Sequence, residues 1–550
     1  MSKSKPKSKS KSNESAGENV MNQIANPGVL DPIGDRTMID LLDEQVEARG
    51  DSTFLIFESS EREITELTYA ELRAEVELCA RGFVGLGISK GDFVVLHLRN
   101  SPEFLIAWFA MARLGAVLVP SNIANTAGEL EHLIDFSSAR FVITEPSLVQ
   151  PVAEAAGQVA TAPTVLVARG EADGYRTLQS VIDDGVDIPE VQLSSNDLAQ
   201  LIFTSGTTRK PKAVMLTHAI VVRSGLDSVH CLWLDEGERC LTALPLFHVN
   251  AQAMSLFATL TVGGTLILIE EFRASRFWGQ VQEYRATQTA IVAMQLRTML
   301  AQPAGSDETD HQLRKLFYAI NVSDAEKDQF EERFGVELIN GYGLSEAMTL
   351  LTVSPISGPR RWPSIGRPSP GRRLELVDEE GNEVAQGEVG EITVRGTPGR
   401  DLMLGYYRDE ESTAGAFRNG RMHTGDNAYA DSEGYLYFFD RKKDMIKRAG
   451  ENVSAIEVEG SISDHPLVAE VCVVGVPDPI RDEAVVAVVV PLKPGTLSEE
   501  DVLEHCRSRL SKFKVPTVVR FVDELPKTSI GKIRKDEVRK TLEGIEVPTR

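Results

Sequence analysis

Apolar residues Met38, Leu41, Leu42 and Val46 recur at helical spacing, and Leu67-Thr-Tyr-Ala-Glu-Leu72 predicts the start of a second helix, with Thr68 as N-cap and Glu71 three residues on. Asp92-Phe-Val-Val-Leu-His-Leu98 has the β-branched, continuous apolar texture of a buried strand. A helical pattern over 102–114 and a strand over 116–120 follow it. Strand, helix, strand predicts a parallel unit. The strand texture returns at Arg140-Phe-Val-Ile-Thr144, Thr164-Val-Leu-Val-Ala168, Thr265-Leu-Ile-Leu-Ile269 and Ala290-Ile-Val-Ala293. An α/β class follows: a large N-terminal domain of mixed and parallel sheets with helices. Beyond about residue 374 the pattern shortens to alternating strands and glycine turns, as in Leu374-Glu-Leu-Val-Asp378 and Gly390-Glu-Ile-Thr-Val-Arg-Gly396, which predicts a β-rich subdomain. The strand Tyr435-Leu-Tyr-Phe-Phe-Asp440 runs into the charge cluster Arg441-Lys-Lys-Asp444, and the helices and strands after it have the makings of a small α+β domain. The expected organisation is a basic tail (1–30), an N-terminal domain (31–440), a boundary (441–443) and a C-terminal domain (444–550).

Composition narrows the class. The chain has 550 residues, too many for one compact core, and a net charge of −23. The first twelve residues carry five lysines and no acid, so the remainder is more acidic still. Such a body argues against nucleic acid and anionic membrane surfaces as partners, and makes any local cationic loop stand out. The serine–lysine start lacks an apolar core and reads as a disordered tail. No stretch approaches the length of apolar residues that a membrane span needs. Five cysteines are scattered without CxxC pairing, which suggests neither a disulfide framework nor a zinc site. The chain reads as cytoplasmic.

Four stretches carry chemistry. In Leu201-Ile-Phe-Thr-Ser-Gly-Thr-Thr-Arg-Lys-Pro-Lys-Ala-Val-Met215, strand, loop and strand are predicted. Thr204, Ser205, Thr207 and Thr208 offer hydroxyls, Gly206 lets backbone N–H groups converge, and Lys210 and Lys212 add positive charge. That is the chemistry of a polyphosphate cradle, although an exposed polar hairpin has the same composition. It is not the common nucleoside-triphosphate loop, because no Gly-Lys-Ser/Thr stands at the required spacing. Asn340-Gly-Tyr-Gly-Leu-Ser-Glu346 offers close backbone approach at Gly341 and Gly343, a flat face at Tyr342 for a purine, and a hard oxygen ligand for Mg²⁺ at Glu346; a glycine turn between strand and helix would look alike. His423-Thr-Gly-Asp426 places a carboxylate at a tight turn, where it could accept two ribose hydroxyls. Pro526-Lys-Thr-Ser-Ile-Gly-Lys-Ile-Arg-Lys535 ends in a mobile point charge, Lys532, or is simply a solvated basic segment.

In this order and spacing the four stretches and the Asp440-Arg441 cluster resemble the acyl-adenylate-forming superfamily, in its acyl-CoA synthetase branch, over about 37–540. Phe317-Tyr-Ala-Ile-Asn-Val-Ser-Asp324, Arg360-Arg-Trp-Pro-Ser-Ile-Gly-Arg367 and Arg448-Ala-Gly-Glu-Asn-Val-Ser454 look most like the crotonobetaine/carnitine-CoA ligase type. The resemblance implies ATP-dependent activation of a small-molecule acid as acyl-AMP, with pyrophosphate release and transfer to coenzyme A. It implies that Thr204, Ser205, Gly206, Thr207, Thr208, Lys210 and Lys212 hold the β- and γ-phosphates, that Asn340, Gly341 and Tyr342 meet adenine, and that Ser345 touches the α-phosphate. Glu346 with Thr204 would hold Mg²⁺, and Asp426 and Arg441 the ribose. Lys443 would be the hinge of a mobile C-terminal domain, Lys532 the bridge between the attacking carboxylate and the α-phosphate, Lys447 and Gly450 part of the face presented to the second step, and His248 in Pro245-Leu-Phe-His248 the gate of the acyl pocket.

The chain departs from the family pattern in three places. Arg209 and Ala213 stand where glycine is usual, and Ala319-Ile-Asn-Val322 replaces a glycine pair beside adenine. Those departures keep a non-catalytic nucleotide-binding protein as an alternative, beside an adenylating enzyme with another acceptor or oxyacid: a carrier-protein thiol, an amine, or nitrite. A carrier protein and a homodimer both stay open as partners. A trimethylammonium head on the acid would want an aromatic or acidic wall, for which Phe247, Trp278, Tyr318 and Trp362 are candidates, although each reads at least as well as a core residue.

Overall fold

The structure, a computed structural model, describes residues 32–204, 211–319, 322, 324–441, 444–448, 451–478, 482–527 and 533–545, with backbone alone at Ala319, Arg441, Lys447, Glu451, Asn452 and Asp482. Four sheets organise these residues. An eight-stranded sheet runs, in spatial order, Gly405–Tyr406, Lys212–Thr217, Leu198–Thr204, Val117–Pro120, Phe93–His97, Phe141–Thr144, Thr164–Val167 and Arg176–Thr177. From Leu198–Thr204 outward to Arg176–Thr177 the pairs are parallel; the two pairs at the other edge are antiparallel. A nine-stranded sheet has a parallel centre, Leu338–Gly343, Lys315–Ala319, Gln288–Val292, Arg239–Thr242, Thr265–Ile269 and Thr53–Glu58.

Helices fill the space between these two sheets. Pro102–Leu114 is the innermost, with buried residues on every face. Its ends follow from sequence: the Ser101 side chain accepts from Phe104 N, proline stands in the first turn, and Gly115 closes the helix at φ 71. Tyr69–Gly85 starts as the Thr68 and Glu71 pattern predicts, with a reciprocal capping box. One apolar cluster joins the inner faces, with Leu55 and Phe57 from one sheet, Leu96 and Leu118 from the other, and Phe104 and Trp108 between them. A second core on the outer face of the nine-stranded sheet gathers Trp278, Phe330 and Phe334.

The later residues form two more sheets. Arg373–Val377, Gly390–Arg395, Phe417–Arg418, Arg421–Ala430 and Leu436–Arg441 pair antiparallel, as the alternating texture predicts. Ile446–Arg448, Glu451–Val453, Val468–Asp478, Asp482–Pro491 and Val518–Phe521 make the last sheet, with Ala455–Ser463, Glu499–Arg507 and Lys535–Thr541 on its faces over separate apolar clusters. Among the described residues no helix is long and apolar enough to cross a membrane.

Candidate active site

The strands that flank the hydroxyl-rich stretch pair antiparallel. Leu198–Thr204 pairs with Lys212–Thr217 in the register Thr204 to Lys212, and the Thr204 hydroxyl lies 3.4 Å from the Lys212 carbonyl oxygen. Ser205, Gly206, Thr207, Thr208 and Lys210 lie outside the described residues, as does Arg209. Ala213 is buried and cross-strand from Phe203, and its carbonyl accepts from Tyr407 N at 2.8 Å. A methyl group therefore suits this position, and the alanine leaves the strand pairing intact.

Asn340, Gly341 and Tyr342 are not in a turn. They belong to the strand Leu338–Gly343, which leaves the parallel sheet and pairs antiparallel with Leu350–Val353. The glycines serve that pairing directly. A Cβ on Gly341 would lie 2.7 Å from Thr352 O, and one on Gly343 2.5 Å from Thr349 O. Asn340 is buried and its side-chain amide donates to Ser364 O at 2.8 Å, so it fixes the 360–366 segment beside the site. Ser345–Ala347 is a single 3₁₀ turn, with Ser345 and Glu346 partly exposed at the strand's carboxyl end, where ligands collect in open α/β sheets.

The His423-Thr-Gly-Asp426 stretch also differs from a tight turn. It lies inside the strand Arg421–Ala430 as a bulge: Glu391 pairs with Asn427 and Thr393 with His423, so Thr424, Gly425 and Asp426 together face Ile392. Gly425 takes φ 74, its N–H donates to Glu391 Oε1 at 3.0 Å, and the other Glu391 oxygen lies 3.1 Å from His423 Nδ1. The bulge aims Asp426 at the Tyr342 strand. Tyr342 Oη donates to Asp426 Oδ2 at 2.6 Å, and Asp426 is cross-strand from Arg441. Two stretches 84 residues apart thus meet through one charge-assisted hydrogen bond.

A segment without a sequence signal ties the Lys212–Thr217 strand to Glu346. Met403 N donates to Glu346 O at 2.6 Å and Leu404 N to Met215 O at 2.9 Å, and Gly405 and Tyr406 pair with Met215 and Val214. Tyr406 Oη donates to Glu346 Oε1 at 2.9 Å, and the Lys212 ammonium stands 4.7 Å from the centre of the Tyr406 ring. Burial, and then the Glu346 charge, push the Tyr406 phenol well above its ordinary range.

His248 sits in a loop held from both sides. Asn100 donates to Leu244 O and Ile269 O and accepts from Leu246 N, while Gln252 donates to Leu246 O at 2.8 Å. Gln252 in turn accepts from Gln200 Nε2 at 3.0 Å, and that amide also reaches Met348 Sδ at 3.7 Å. One buried pair therefore joins the Leu198–Thr204 strand, the His248 loop and the turn that carries Glu346. Residues Ala251–Phe257 run as a π-helix, a form often found near functional sites. Burial holds His248 at about 4, so it is neutral, with Nε2 unbonded in the structure.

The aromatic candidates separate. Trp278 is a core residue, 4.3 Å from Phe334 and donating to Glu308 O. Trp362 stacks on Tyr318 and already carries the Lys327 ammonium over its face. Phe247 is buried against His248, with ring centres 4.5 Å apart. Lys443, Gly450 and Lys532 lie outside the described residues; Lys447 is in the strand Ile446–Arg448, paired with Asn452. Ala319 ends a strand paired with Val292, and Val322 is buried in the second core.

Residues 42–407 match the model of the AMP-binding enzyme family, and 457–532 match its C-terminal domain. The chain belongs to the AMP-binding enzymes. It is 38% identical over 524 residues to a crotonobetaine/carnitine–CoA ligase of Citrobacter koseri and 39% identical over 519 residues to that of Proteus mirabilis, covering 93% of this chain and 100% of each relative. Among solved structures, the anthranilate CoA ligase AuaEII in complex with anthranoyl-AMP matches with a TM-score of 0.83 at 26% identity, over 92% of this chain and 98% of that one. ATP-bound MatB from Rhodopseudomonas palustris matches at 0.82 and 29%, over 92% and 99%. As an AMP-binding enzyme of this kind, the chain is an ATP-dependent, AMP-forming acid–CoA ligase.

Proposed function

We propose that the chain activates a small acid of the crotonobetaine or carnitine type and passes it to coenzyme A in two steps divided between two placements of residues 444–550. The observation that carries the nucleotide assignment is the convergence of Tyr342 on Asp426 and of Tyr406 on Glu346 beside Lys212. The relatives' identity over nearly the whole chain supports the acid's class.

A carboxylic acid is a poor electrophile because oxide would have to leave. In the first step its carboxylate oxygen attacks the α-phosphorus of ATP, the bond to the bridging oxygen breaks, and pyrophosphate departs. Positioning and charge neutralisation dominate such a transfer, and the site is built of donors and cations. Thr204 to Lys212 cradle the departing phosphates, Ser345 meets the α-phosphate, Asp426 and Arg441 hold the ribose, and Tyr342 lies against adenine. A carboxylate and a hydroxyl, Glu346 and Thr204, are hard oxygen donors of the kind that would hold Mg²⁺. Bound there, Mg²⁺ would neutralise charge on the leaving pyrophosphate.

Lys532 bridges the carboxylate and the α-phosphate, then leaves when 444–550 turns about 441–443 and the face with Lys447 and Gly450 comes in. In the second step the thiol sulfur bonds the acyl carbon and AMP departs; His248 opens the way to that carbon. A pyrophosphate-release screen over short acids, betaines and nitrite, with and without coenzyme A, tests the reading. Release with a betaine-type acid, and acyl-CoA formed only when coenzyme A is added, is expected. Release with nitrite alone, or an adenylate that coenzyme A does not discharge, would overturn it.

A further inference from the structure

Residues 403–407 form a strap whose backbone is fixed at almost every position. Met403 N bonds Glu346 O, Leu404 N bonds Met215 O, and Tyr407 N bonds Ala213 O, so the strap is sewn to the Glu346 turn at one end and to the exit strand of the phosphate hairpin along its length. Tyr406 N donates to Thr413 Oγ1 at 2.9 Å. Gly405, at φ 151, lets the strap pass: a Cβ there would stand 2.9 Å from Thr413 Cγ2. With its backbone held so tightly, Tyr406 has little choice of position. Its hydroxyl meets Glu346 Oε1 at 2.9 Å and its ring faces the Lys212 ammonium at 4.7 Å.

We propose that Tyr406 is a positioning residue for the metal–pyrophosphate end of the site, its hydroxyl setting the Glu346 carboxylate and its ring face setting the Lys212 ammonium, so that one side chain fixes the separation of the two groups. This rests on the reading of Glu346 as the Mg²⁺ ligand. A carboxylate on a flexible side chain samples several rotamers, and a donor anchored to a rigid strap removes that freedom before the nucleotide arrives. The cation over the ring is attracted to the face of the phenol, which keeps the ammonium beside the hairpin.

The two contacts separate experimentally. Tyr406→Phe removes the hydroxyl and keeps the ring; Tyr406→Leu removes both. ATP affinity is measured by titration calorimetry without acid or coenzyme A, with Mg²⁺ and with EDTA, on the full chain, and thermal midpoints confirm folding. In the parent, Mg²⁺ should tighten ATP binding; in Glu346→Gln that tightening should be largely lost. Tyr406→Phe should bind metal-free ATP within about twofold of the parent yet lose about five- to tenfold of the Mg²⁺ effect, the share expected of one net intramolecular hydrogen bond. Tyr406→Leu should in addition weaken metal-free ATP binding by about two- to fivefold, the range of an exposed cation–π contact. Full retention of the Mg²⁺ effect in Glu346→Gln would overturn the metal reading and this proposal with it. A normal loss in Glu346→Gln beside an unchanged Tyr406→Phe would overturn the role of Tyr406 alone. Equal weakening of both forms of ATP in Tyr406→Phe would also overturn it, since a general loosening does not select the metal.

Discussion

The Gln200–Gln252 pair allows a quantitative test of how the site is held together. Both side chains are fully buried, and the pair links the phosphate strand to the His248 loop, with Met348 as a weak third partner. Gln252→Leu deprives the Gln200 amide of its oxygen acceptor and the Leu246 carbonyl of its donor. Two stranded buried groups at about 1–3 kcal/mol each, less the gain from an added apolar side chain, give a loss of about 2–4 kcal/mol. Gln200→Leu strands only Gln252 Oε1, and it removes a Gln200 Oε1 that has no partner in the structure, so its loss should be smaller, about 1–2 kcal/mol. In the double variant only the Leu246 carbonyl is stranded. Its loss should fall short of the sum of the singles by about 2–4 kcal/mol, since two of the three groups stranded in the singles are gone. Thermal midpoints read this: the singles should melt a few degrees below the parent, and the double variant above the Gln252→Leu single. Adenylation should stay slow in the double variant, because refilling the volume does not restore the register between loop and strand. Additive destabilisation would refute the pairing, and parental adenylation in the double variant would refute its positioning role.

Three further outcomes are expected. Gly341→Ala pushes a methyl group to 2.7 Å from Thr352 O and 3.1 Å from Phe317 Cε2; since a strand oxygen cannot step aside, it should cost about 1–3 kcal/mol and raise the KM for ATP, and parental values for both would show the strand pair to be looser than described. Tyr342→Phe removes the 2.6 Å bond to Asp426 and should raise the KM for ATP about 5- to 20-fold with kcat little changed, whereas an unchanged KM would take that pair out of the nucleotide site. His97 and His218 are fully buried, and burial pushes each down to about 4. An unfolded histidine takes its proton near pH 6.5, so the unfolded state binds more protons between about 6.5 and 4; the stability each neutral ring contributes is complete above that window and is lost as pH falls through it, up to about 3 kcal/mol per group. Thermal midpoints should drop on acidification from pH 7 to 5, and His218→Leu, which removes a ring with neither nitrogen bonded in the structure, should flatten the drop; a slope unchanged by that substitution would contradict the assignment.

Much of the fold was legible because its signals are local. The Thr68 and Glu71 capping box, the apolar Pro102–Leu114 helix between Ser101 and Gly115, and the two strands on either side of 205–211 each announce themselves within a few residues, and the structure has them where the pattern puts them. The site was legible only in pieces. Asn340-Gly-Tyr-Gly and Thr-Gly-Asp read as turns because glycine is the usual turn residue, yet both lie in strands: in the first the glycines admit the carbonyl oxygens of a neighbouring strand, and in the second Gly425 makes a bulge. Tyr406 left no signal, because an aromatic pair after glycine reads as core and its partners Lys212 and Glu346 lie far away in sequence. Gln200 and Gln252 were equally silent, each being a single polar residue in an apolar run whose purpose is visible only once the runs are brought together. Trp278 was ambiguous, since an aromatic residue can face a ligand or fill a core, and it packs on Phe334.

The account stands or falls on a division of labour between two half-reactions, and Lys532→Ala measures it directly. In rapid-quench single turnovers with acid and MgATP but no coenzyme A, formation of acyl-AMP should fall by at least about 10²-fold, as for removal of a preorganised charge from a transition state. With acyl-AMP supplied and coenzyme A added, thioester formation should stay within about threefold of the parent, since a tenfold change already needs about 1.4 kcal/mol. Equal loss of both rates, or a parental rate of adenylation, would contradict the assignment of Lys532 to the first step alone.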